Sequence, residues 1–292
     1  MQAPSSYKQL PTKRTLEAAL IERPPSRNTV VRVQYPAMSV TVTALHTTAI
    51  KGTRLRSVEK VELDEHGAAG DRKLFVVDAR HRMRNGKQLG NLQAVVARFE
   101  PPRLTLDLPD GSVVDGEIEL GERVSVQFFS HQMTGRLVIG PWSQALSDHC
   151  GQLLRLLESR SAVDRGTRGP VSLVSRGSLR RLSEQAGTGP IDTRRFRMLI
   201  EVDGVAPHAE DGWLGQRLHV GNAVLRFDGN VGRCLVTSRD PDTGEITLPT
   251  LDFLRAYRSG VRSTEPLPFG IYGRVVRPGT VRVGDTVELS GE

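Results

Sequence analysis

Apolar residues in the first half of the chain come in short, mostly β-branched runs that are separated by turn residues. From Ser39 onward the runs are SVTVTALH, VEKVELDE, KLFVVDA, RLTLDLPDG, EIELGERVSVQFF and GRLVIG. Alternation of apolar and polar positions over such short lengths is typical of β-strands. Because the strands follow each other closely and no long helix intervenes, the pattern predicts a barrel or a strongly bent sheet.

The pattern changes after Gly140. The segment PWSQALSDHCGQLLRLLESR predicts a helix with Asp148 as N-cap and an apolar face of Leu153, Leu154, Leu156 and Leu157. RGSLRRLSEQAG and TLDFLRAYR predict two shorter helices, and the remaining apolar runs predict strands. We therefore expect a mainly β chain with few short helices and two domains, residues 39–140 and 141–292.

Residues 1–38 are rich in Pro, Ser, Arg and Gln and show no sustained periodicity, so we predict a disordered basic tail. The tail carries four of the seven net positive charges, and only three fall on the remaining residues. Aromatic residues make up 5% of the chain, which leaves few platforms for stacking bases. Nucleic-acid binding is therefore expected only if the tail supplies it.

Two cysteines in 292 residues are too few for a disulfide framework, which favours a reducing, cytoplasmic location. They are also too few for an iron–sulfur cluster, which takes about four thiolates. No apolar stretch approaches the roughly 20 residues that span a membrane, and we see no secretory signal. Any redox chemistry must take its electrons from another protein.

One cysteine stands out within VGRCLVTSRDPDTGE, where Cys234 directly follows Arg233. A free cysteine is often a small apolar side chain on a buried strand. The alternative is a thiolate that the neighbouring arginine favours, and thiolates bind soft or borderline metals. The turn DPDTG, taken alone, is ordinary turn chemistry.

Residues 233–244, RCLVTSRDPDTG, resemble the signature R-C-x-x-T-x-x-D-P-x-T-G of the MOSC family, named for the C-terminal domain of molybdenum cofactor sulfurase. The resemblance extends over about residues 39–290. Within the family, the chain is similar to the mitochondrial amidoxime-reducing components and their bacterial homologues. It rests on further matches in four other segments, at Asp71 and Arg72, at Phe196 and Arg197, at Trp213, and at Phe269, Gly270 and Tyr272.

The resemblance implies a MOSC-type β-barrel, preceded by a smaller β-barrel-like domain, that binds the molybdenum cofactor, molybdenum-molybdopterin. In that reading Cys234 is the protein ligand to molybdenum and the catalytic residue. The resemblance also implies polar contacts to the pterin and its phosphate from Arg72, Arg197 and Arg233, while Tyr272 lines the same site. A planar guanidinium suits phosphate because it can donate two parallel hydrogen bonds.

Several positions depart from the family pattern. Thr48 and Ala49 stand where the family has Lys and Ser, and Leu199 replaces an Asn. Gly232 replaces a Ser, and Lys87 could take the place of a missing basic residue. The loss of one charged phosphate contact weakens binding by roughly ten- to hundredfold. The resemblance thus implies cofactor binding with an altered phosphate grip.

The expected function is a molybdenum-dependent oxidoreductase that reduces small N-hydroxylated compounds with electrons from a separate flavin or iron–sulfur protein. The alternative is a non-redox carrier of molybdenum cofactor or sulfur, with Cys234 as acceptor. Pyridoxal phosphate is not expected, since no lysine lies in a recognisable Schiff-base context. Nucleic-acid binding through the tail is a third class, and no membrane span is expected.

Overall fold

The computed structural model describes residues 39–160, 163–164, 169–263 and 265–290, and the predicted tail, 1–38, lies outside them. Within this part the chain is mainly β, which confirms the predicted fold class. The first eleven strands are β1 (Thr41–Thr47), β2 (Arg56–Val58), β3 (Lys60–Asp64), β4 (Gly67–Ala68), β5 (Leu74–Asp78), β6 (Met83–Arg84), β7 (Val96–Glu100), β8 (Arg103–Asp107), β9 (Val113–Glu117), β10 (Glu119–Phe128) and β11 (His131–Ile139).

Helices join the strands in the second half of the chain. The α-helices are α1 (Trp142–Cys150), α2 (Arg176–Ala186) and α3 (Thr250–Arg258). Short 3₁₀ helices span Gly90–Ala94, Thr193–Phe196, Ala209–Trp213 and Leu235–Ser238. The remaining strands are β12 (Leu154–Glu158), β13 (Val171–Ser175), β14 (Ile200–Asp203), β15 (Arg217–Val220), β16 (Ala223–Gly232), β17 (Pro268–Arg277), β18 (Gly279–Arg282) and β19 (Val287–Leu289).

The largest sheet has eight strands in the order β19-β15-β16-β17-β13-β14-β1-β2. Its ladders describe an open sheet, and no closed barrel is found in the described part of the chain. The sheet bends far enough that Thr41, at the start of β1, forms an isolated bridge with Thr286. Beside this bridge, the amide of Val42 donates to the carbonyl oxygen of Asp285 at 2.8 Å. The predicted strong bend is thus present.

A five-stranded sheet, in the order β10-β11-β12-β5-β6, packs a second core. Strand β5 has the sequence LFVVD, and its first four side chains are all buried. A continuous apolar run of this kind is expected for a strand that is covered on both faces. Two three-stranded sheets, β18-β3-β4 and β7-β8-β9, complete the described part.

The helix predicted around Leu153–Leu157 is wrong. Helix α1 ends at Cys150, where Gly151 adopts the left-handed conformation with φ 66°, which commonly stops a helix. The leucines continue as β12, which pairs with β5 and β11. Tertiary pairing therefore decides this short apolar run, whose pattern alone fits either a strand or a helix. The two other predicted helices are confirmed as α2 and α3.

Strands from both halves of the chain share sheets. Strand β1 lies between β14 and β2 in the eight-stranded sheet, and β18 pairs with β3. The domain boundary near residue 140 stays a prediction. No helix of the described part is both long enough and apolar enough to cross a membrane.

Candidate functional site

The five residues singled out in the sequence line one cavity of about 430 Å³, which we term the Cys234 cavity. They are Cys234, Arg72, Arg197, Arg233 and Tyr272. They come from distant parts of the chain and meet where several strands begin or end: Arg72 precedes β5, Arg197 precedes β14 and Cys234 follows β16. The fold therefore gathers the predicted residues, while their chemical roles stay a prediction.

Cys234 is exposed, so the alternative of a cysteine on a buried strand is wrong. It lies between the end of β16 and the 3₁₀ helix Leu235–Ser238, in extended conformation with φ −132°. Its carbonyl oxygen accepts hydrogen bonds from the amide of Thr237 at 3.1 Å and from the hydroxyl of Thr237 at 3.0 Å. The signature threonine thus fixes the backbone that carries the thiol, because Thr237 itself is buried.

Arg72 and Arg197 form one hydrogen-bonded unit. Nη2 of Arg72 donates to the carbonyl oxygen of Arg197 at 2.8 Å, and Nη2 of Arg197 donates to the carbonyl oxygen of Thr53 at 2.6 Å. The other guanidinium nitrogens of Arg72 face Asp71 and Asp164. The two arginines are thereby held in fixed positions in the cavity wall.

Both arginines also have strained backbones. Arg72 has φ 47° and Arg197 has φ 55°, in the left-handed region that side-chain-bearing residues rarely adopt. Such conformations cost about 1–3 kcal/mol each and concentrate at functional sites. Phe129, which lines the same cavity, has φ 53°. Three of the six non-glycine residues with positive φ in the described part therefore lie at this cavity.

Arg197 is a cation held away from bulk water. Burial and, to a lesser extent, the positive charge of neighbouring Arg72 lower its pKa to about 9. Within the described ranges it forms no salt bridge, and its hydrogen-bond acceptors are the Thr53 carbonyl and, at 3.4 Å, the Gln93 side-chain oxygen. Arg197 therefore keeps its charge at neutral pH. Because no carboxylate in the described ranges bonds it directly, it is suited to an anionic ligand.

Arg233 has a different environment. Its Nε donates to the carbonyl oxygen of Phe269 at 2.8 Å, and its Nη1 donates to that of Phe196 at 2.7 Å. Its guanidinium lies 5.3 Å from the centroid of the Phe196 ring. These contacts tie the residue before Cys234 to the start of β17 and to the segment that carries Arg197. Arg233 is 8% exposed, so this geometry suits it to holding the site together.

Tyr272 lies on β17, opposite Ser172 of β13, and is half-buried. A Cβ added at Gly229 would come within 2.8 Å of its ring, so the phenol packs directly on the glycine backbone of β16. The absence of a side chain at position 229 thus sets the place of the Tyr272 ring in the cavity wall.

The DPDTG turn, Asp240 to Gly244, is hydrogen-bonded to two segments next to the cavity. The guanidinium of Arg194 bonds both carboxylate oxygens of Asp242, at 2.9 and 2.8 Å, and also bonds Asp192. These hydrogen bonds, which Asp192 and then Asp242 accept from the guanidinium, raise the pKa of Arg194. Nη2 of Arg54 donates to the Asp242 carbonyl oxygen at 2.7 Å. The turn therefore connects the segment before Arg197 with the loop after β1.

Three of the positions that depart from the family pattern lie behind the cavity wall, whereas a fourth, Gly232, lines the cavity. Thr48, Ala49 and Leu199 are buried, with 1%, 4% and 0% exposure, and none of the three lines the cavity. The Thr48 hydroxyl instead bonds the Thr53 hydroxyl at 2.7 Å. Lys87 does line the cavity, as the sequence analysis suggested for a substitute basic residue. Its contact with phosphate stays a prediction.

Sequence reasoning missed other lining residues. Among them are Lys51, Arg195, Phe129 and Asp164. A signal existed for Lys51, which stands beside Gly52 three residues after Thr48 in the segment aligned with the family's first strand. Arg195 is one of three arginines within four positions, and nothing in the sequence distinguishes it from Arg194. The structure shows that Arg194 bonds carboxylates, whereas Arg195 lines the cavity.

The Cys234 cavity is strongly positive. Its described lining contains six cationic side chains and one carboxylate, that of Asp164; the cations are Lys51, Arg72, Lys87, Arg195, Arg197 and Arg233. A concave site of one charge sign concentrates ligands of the opposite sign. An exposed thiol in such surroundings can act as a metal ligand or as a nucleophile. The arrangement therefore fits an anionic ligand that reaches a sulfur atom.

Comparison with known proteins agrees with these observations. Residues 160–288 match the model of the MOSC domain. Mitochondrial amidoxime-reducing component 1 from Homo sapiens is 30% identical over 147 residues, which are 48% of this chain and 43% of the relative. Molybdenum cofactor sulfurase from Oryza sativa subsp. japonica is 26% identical over 122 residues, which are 39% of this chain and 14% of the relative. The chain thus spans less than half the length of these curated relatives.

Among solved structures, the YuaD protein from Bacillus subtilis aligns with 87% of this chain and with 98% of its own chain. The sequence identity is 14% and the TM-score is 0.43. A likeness at this level does not establish a common fold.

Proposed function

We propose that this chain binds the molybdenum cofactor in the Cys234 cavity and reduces N-hydroxylated compounds, and the match of residues 160–288 to the MOSC domain model supports this proposal. The observation that carries the proposal is the exposed thiol of Cys234 in a cavity lined by six cationic side chains. The relatives named for amidoxime reduction and for cofactor sulfuration favour the same ligand.

The residues of the cavity fit such a group. The pterin of the cofactor bears a phosphate, and Arg72 and Arg197 offer guanidinium groups that are already fixed in position. The described part of the chain contains no group of three or more His, Cys, Asp or Glu side chains that could hold a metal ion. A metal at Cys234 would therefore take its other ligands from outside the protein, as a pterin dithiolene provides.

Each residue then has a defined task. Cys234 would supply the single protein ligand, and Thr237 would hold its backbone in place. Arg72 and Arg197 would bind the phosphate, and Arg233 would keep the cysteine segment aligned with Phe196 and Phe269. When bound, the cofactor would supply a centre that changes by two electrons and accepts oxygen from an N–O bond. The net reaction consumes two electrons and two protons and releases water.

The electrons would come from a separate protein. The chain has two cysteines and no dinucleotide-binding G-x-G-x-x-G followed by a helix. It offers neither an iron–sulfur cluster nor a recognisable flavin site of its own. A flavin or iron–sulfur protein would therefore be the donor.

The test compares the full-length protein with Cys234→Ser and Cys150→Ser variants, all produced in cells that make the cofactor. We expect stoichiometric molybdenum and pterin in the wild type and in Cys150→Ser, and little molybdenum in Cys234→Ser. With reduced methyl viologen as donor, the wild type should convert benzamidoxime to benzamidine. Equal molybdenum in both variants would refute the ligand role, and a loaded protein without turnover would refute the reductase activity.

The exposed thiol also suits a carrier of sulfur, the function that the relationship to a cofactor sulfurase suggests. Incubation with a cysteine desulfurase and cysteine separates the two candidates. A stable persulfide on Cys234, together with no reduction of amidoximes, would favour the carrier. Turnover of benzamidoxime without persulfide would favour the reductase.

A further inference from the structure

One carboxylate occupies the positive cavity wall. Oδ2 of Asp164 lies 3.1 Å from Nε of Arg72, and its Oδ1 is ion-paired with Nζ of Lys51. Each oxygen of the carboxylate thus faces a different cation. Asp164 is the only acidic residue among the described lining residues of the Cys234 cavity.

The position of Asp164 is set by its neighbour. Val163 is 5% exposed and packs in an apolar core with Phe75 and Leu157. Its amide also donates to the carbonyl oxygen of Arg72 at 3.1 Å. The carboxylate therefore stands beside the two cations because the preceding residue is anchored there.

The carboxylate lies on the solvent side of the cations. The Asp164 side chain is 40% exposed, whereas those of Lys51 and Arg72 are 13% and 7% exposed. An anion that enters from solvent and bonds Nε of Arg72 must therefore displace Asp164. Asp71, the other carboxylate on Arg72, is 1% exposed and accepts from the Thr48 amide at 2.8 Å, so it stays in place.

The charge around Asp164 indicates which anions can displace its carboxylate. At the anion position itself, and among the described residues, Lys51, Arg72 and Arg197 face Asp71 and Asp164, which leaves one net positive charge. Displacement of Asp164 leaves two. A monoanion would only replace one carboxylate charge by another, whereas a phosphate dianion would match both charges and gain attraction.

We propose that Asp164 is an internal competitor which holds the anion position of Lys51 and Arg72 and is displaced by phosphate. It thereby restricts the cavity to ligands that bear a dianionic phosphate or several negative charges. The inference rests on the proposed function only in treating the Cys234 cavity as an anion site. It requires neither molybdenum nor the thiol of Cys234.

The test uses the cofactor-free, full-length chain and isothermal titration calorimetry at constant ionic strength and pH 7.5. The probes are inorganic pyrophosphate and the monoanion formate. Asp164→Asn removes the charge and keeps the shape. The matched control is Asp252→Asn, an exposed aspartate on α3 that is paired with Arg255 and lies outside the cavity lining.

In Asp164→Asn we expect pyrophosphate to bind roughly two- to fivefold more tightly, the gain from removing one competing, partly exposed carboxylate. Formate should bind measurably to this variant and not to the wild type, since no carboxylate charge then competes with it. Asp252→Asn should behave like the wild type. Unchanged or weaker pyrophosphate binding in Asp164→Asn would overturn the proposal.

A second variant covers the case in which Asp164→Asn folds poorly. Asp164→Ser also removes the charge, and thermal unfolding by circular dichroism identifies which variant remains folded. Loss of pyrophosphate affinity in a folded Asp164→Ser protein would overturn the proposal as well. Pyrophosphate binding is measured here without molybdenum or cofactor. A failure of molybdenum binding is therefore distinguishable from a failure of the Asp164 proposal.

Discussion

Arg72 donates a hydrogen bond from Nη2 to the carbonyl oxygen of Arg197 at 2.8 Å, so the side chain of one arginine is held against the backbone of the other. The positive charge of Arg72 also lowers the pKa of Arg197, so the two cations repel each other, and both residues have left-handed backbones. The surrounding structure must stabilise this arrangement, as is common where a protein is organised for a ligand. The pair is thus built for an anion at some cost to the stability of the empty protein.

The first prediction concerns Arg197, whose buried charge lowers the stability of the folded protein. Arg197→Met replaces the guanidinium by an apolar chain of similar length. Because burial lowers the pKa of Arg197 to about 9, its charge disfavours folding at neutral pH. We expect the melting temperature, measured by circular dichroism, to stay the same or rise, while pyrophosphate affinity falls roughly ten- to hundredfold.

The control for this substitution is Arg255→Met, at an exposed arginine on α3 that is paired with Asp252. Neither its melting temperature nor its pyrophosphate affinity should change. If Arg197→Met instead lowered the melting temperature by more than about 5 °C, the arginine would be a structural support.

The two cysteines should differ in their reaction with iodoacetamide. Cys234 is exposed, whereas burial raises the pKa of Cys150 to about 11. At pH 8 only about one Cys150 thiol in a thousand is ionised, and the thiolate is the reacting form. Mass spectrometry should show Cys234 alkylated at least about tenfold faster.

Cys234→Ser should abolish the fast alkylation, and Cys150→Ser should leave it intact. The slow reaction of Cys150 should accelerate with each unit of pH up to about 11. Equal rates for the two thiols at pH 8 would contradict the exposure that the structure assigns to Cys234.

Gly244 should be intolerant of substitution. It has φ 80°, and an added Cβ would lie 1.8 Å from the carbonyl oxygen of Gly90, where the DPDTG turn packs on the 3₁₀ helix Gly90–Ala94. Gly215 has φ 82° with no atom within 4 Å of an added Cβ, so it is a control for backbone strain alone.

We expect Gly215→Ala to cost about 1–2 kcal/mol of unfolding free energy, the usual penalty of a left-handed alanine. Gly244→Ala should cost more, because the turn must also move away from Gly90. Urea denaturation measures both free energies. Equal losses would show that the turn moves freely and does not brace the site.

The environment of His208 leads us to expect that the free energy of unfolding decreases as the pH falls from 6.5 to 4. Burial and then the nearby Arg258 lower its pKa to about 4, and neither ring nitrogen has a hydrogen-bond partner within the described residues. Since the unfolded chain binds a proton first as the pH falls below about 6.5, stability decreases down to pH 4. Allowing for partial exposure, the loss attributable to His208 is about 1–2 kcal/mol.

His208→Asn keeps a residue that tolerates the left-handed backbone at φ 62° and removes the titrating ring. Urea denaturation at pH 7 and pH 4.5 should show a smaller difference for this variant than for the wild type. The same pH difference in both proteins would assign the titration to other groups.

Much of the fold follows from local pattern, and the failures have physical causes. The alternating run of β3 and the apolar run of β5 are strands in the structure. Leu154, Leu156 and Leu157 were assigned to a helix because their spacing fits either state, and pairing with β5 decides between them. Gly151, which ends helix α1, is a typical helix stop that is visible in the sequence. The leucine pattern after it was nevertheless interpreted as a continuation of the helix.

The site was predictable to the extent that it follows a linear motif. Arg233, Cys234 and Thr237 lie in one signature, and their neighbourhood is set by local chain geometry. Phe129 and Asp164 could not be found, because their position at the cavity depends on a hairpin end and on the burial of Val163. Contacts across the sheet leave no local mark in the sequence.

Strand β1 has a consequence for work with isolated fragments. Its backbone covers β14, with Val42 opposite Val202 and Leu45 opposite Ile200, and it precedes the segment that matches the MOSC domain. A fragment that began at residue 160 would present β14 as an uncovered edge of buried, β-branched side chains, which invites pairing between molecules. Aggregation of such a fragment would reflect the lost neighbour and would carry no information about its chemistry.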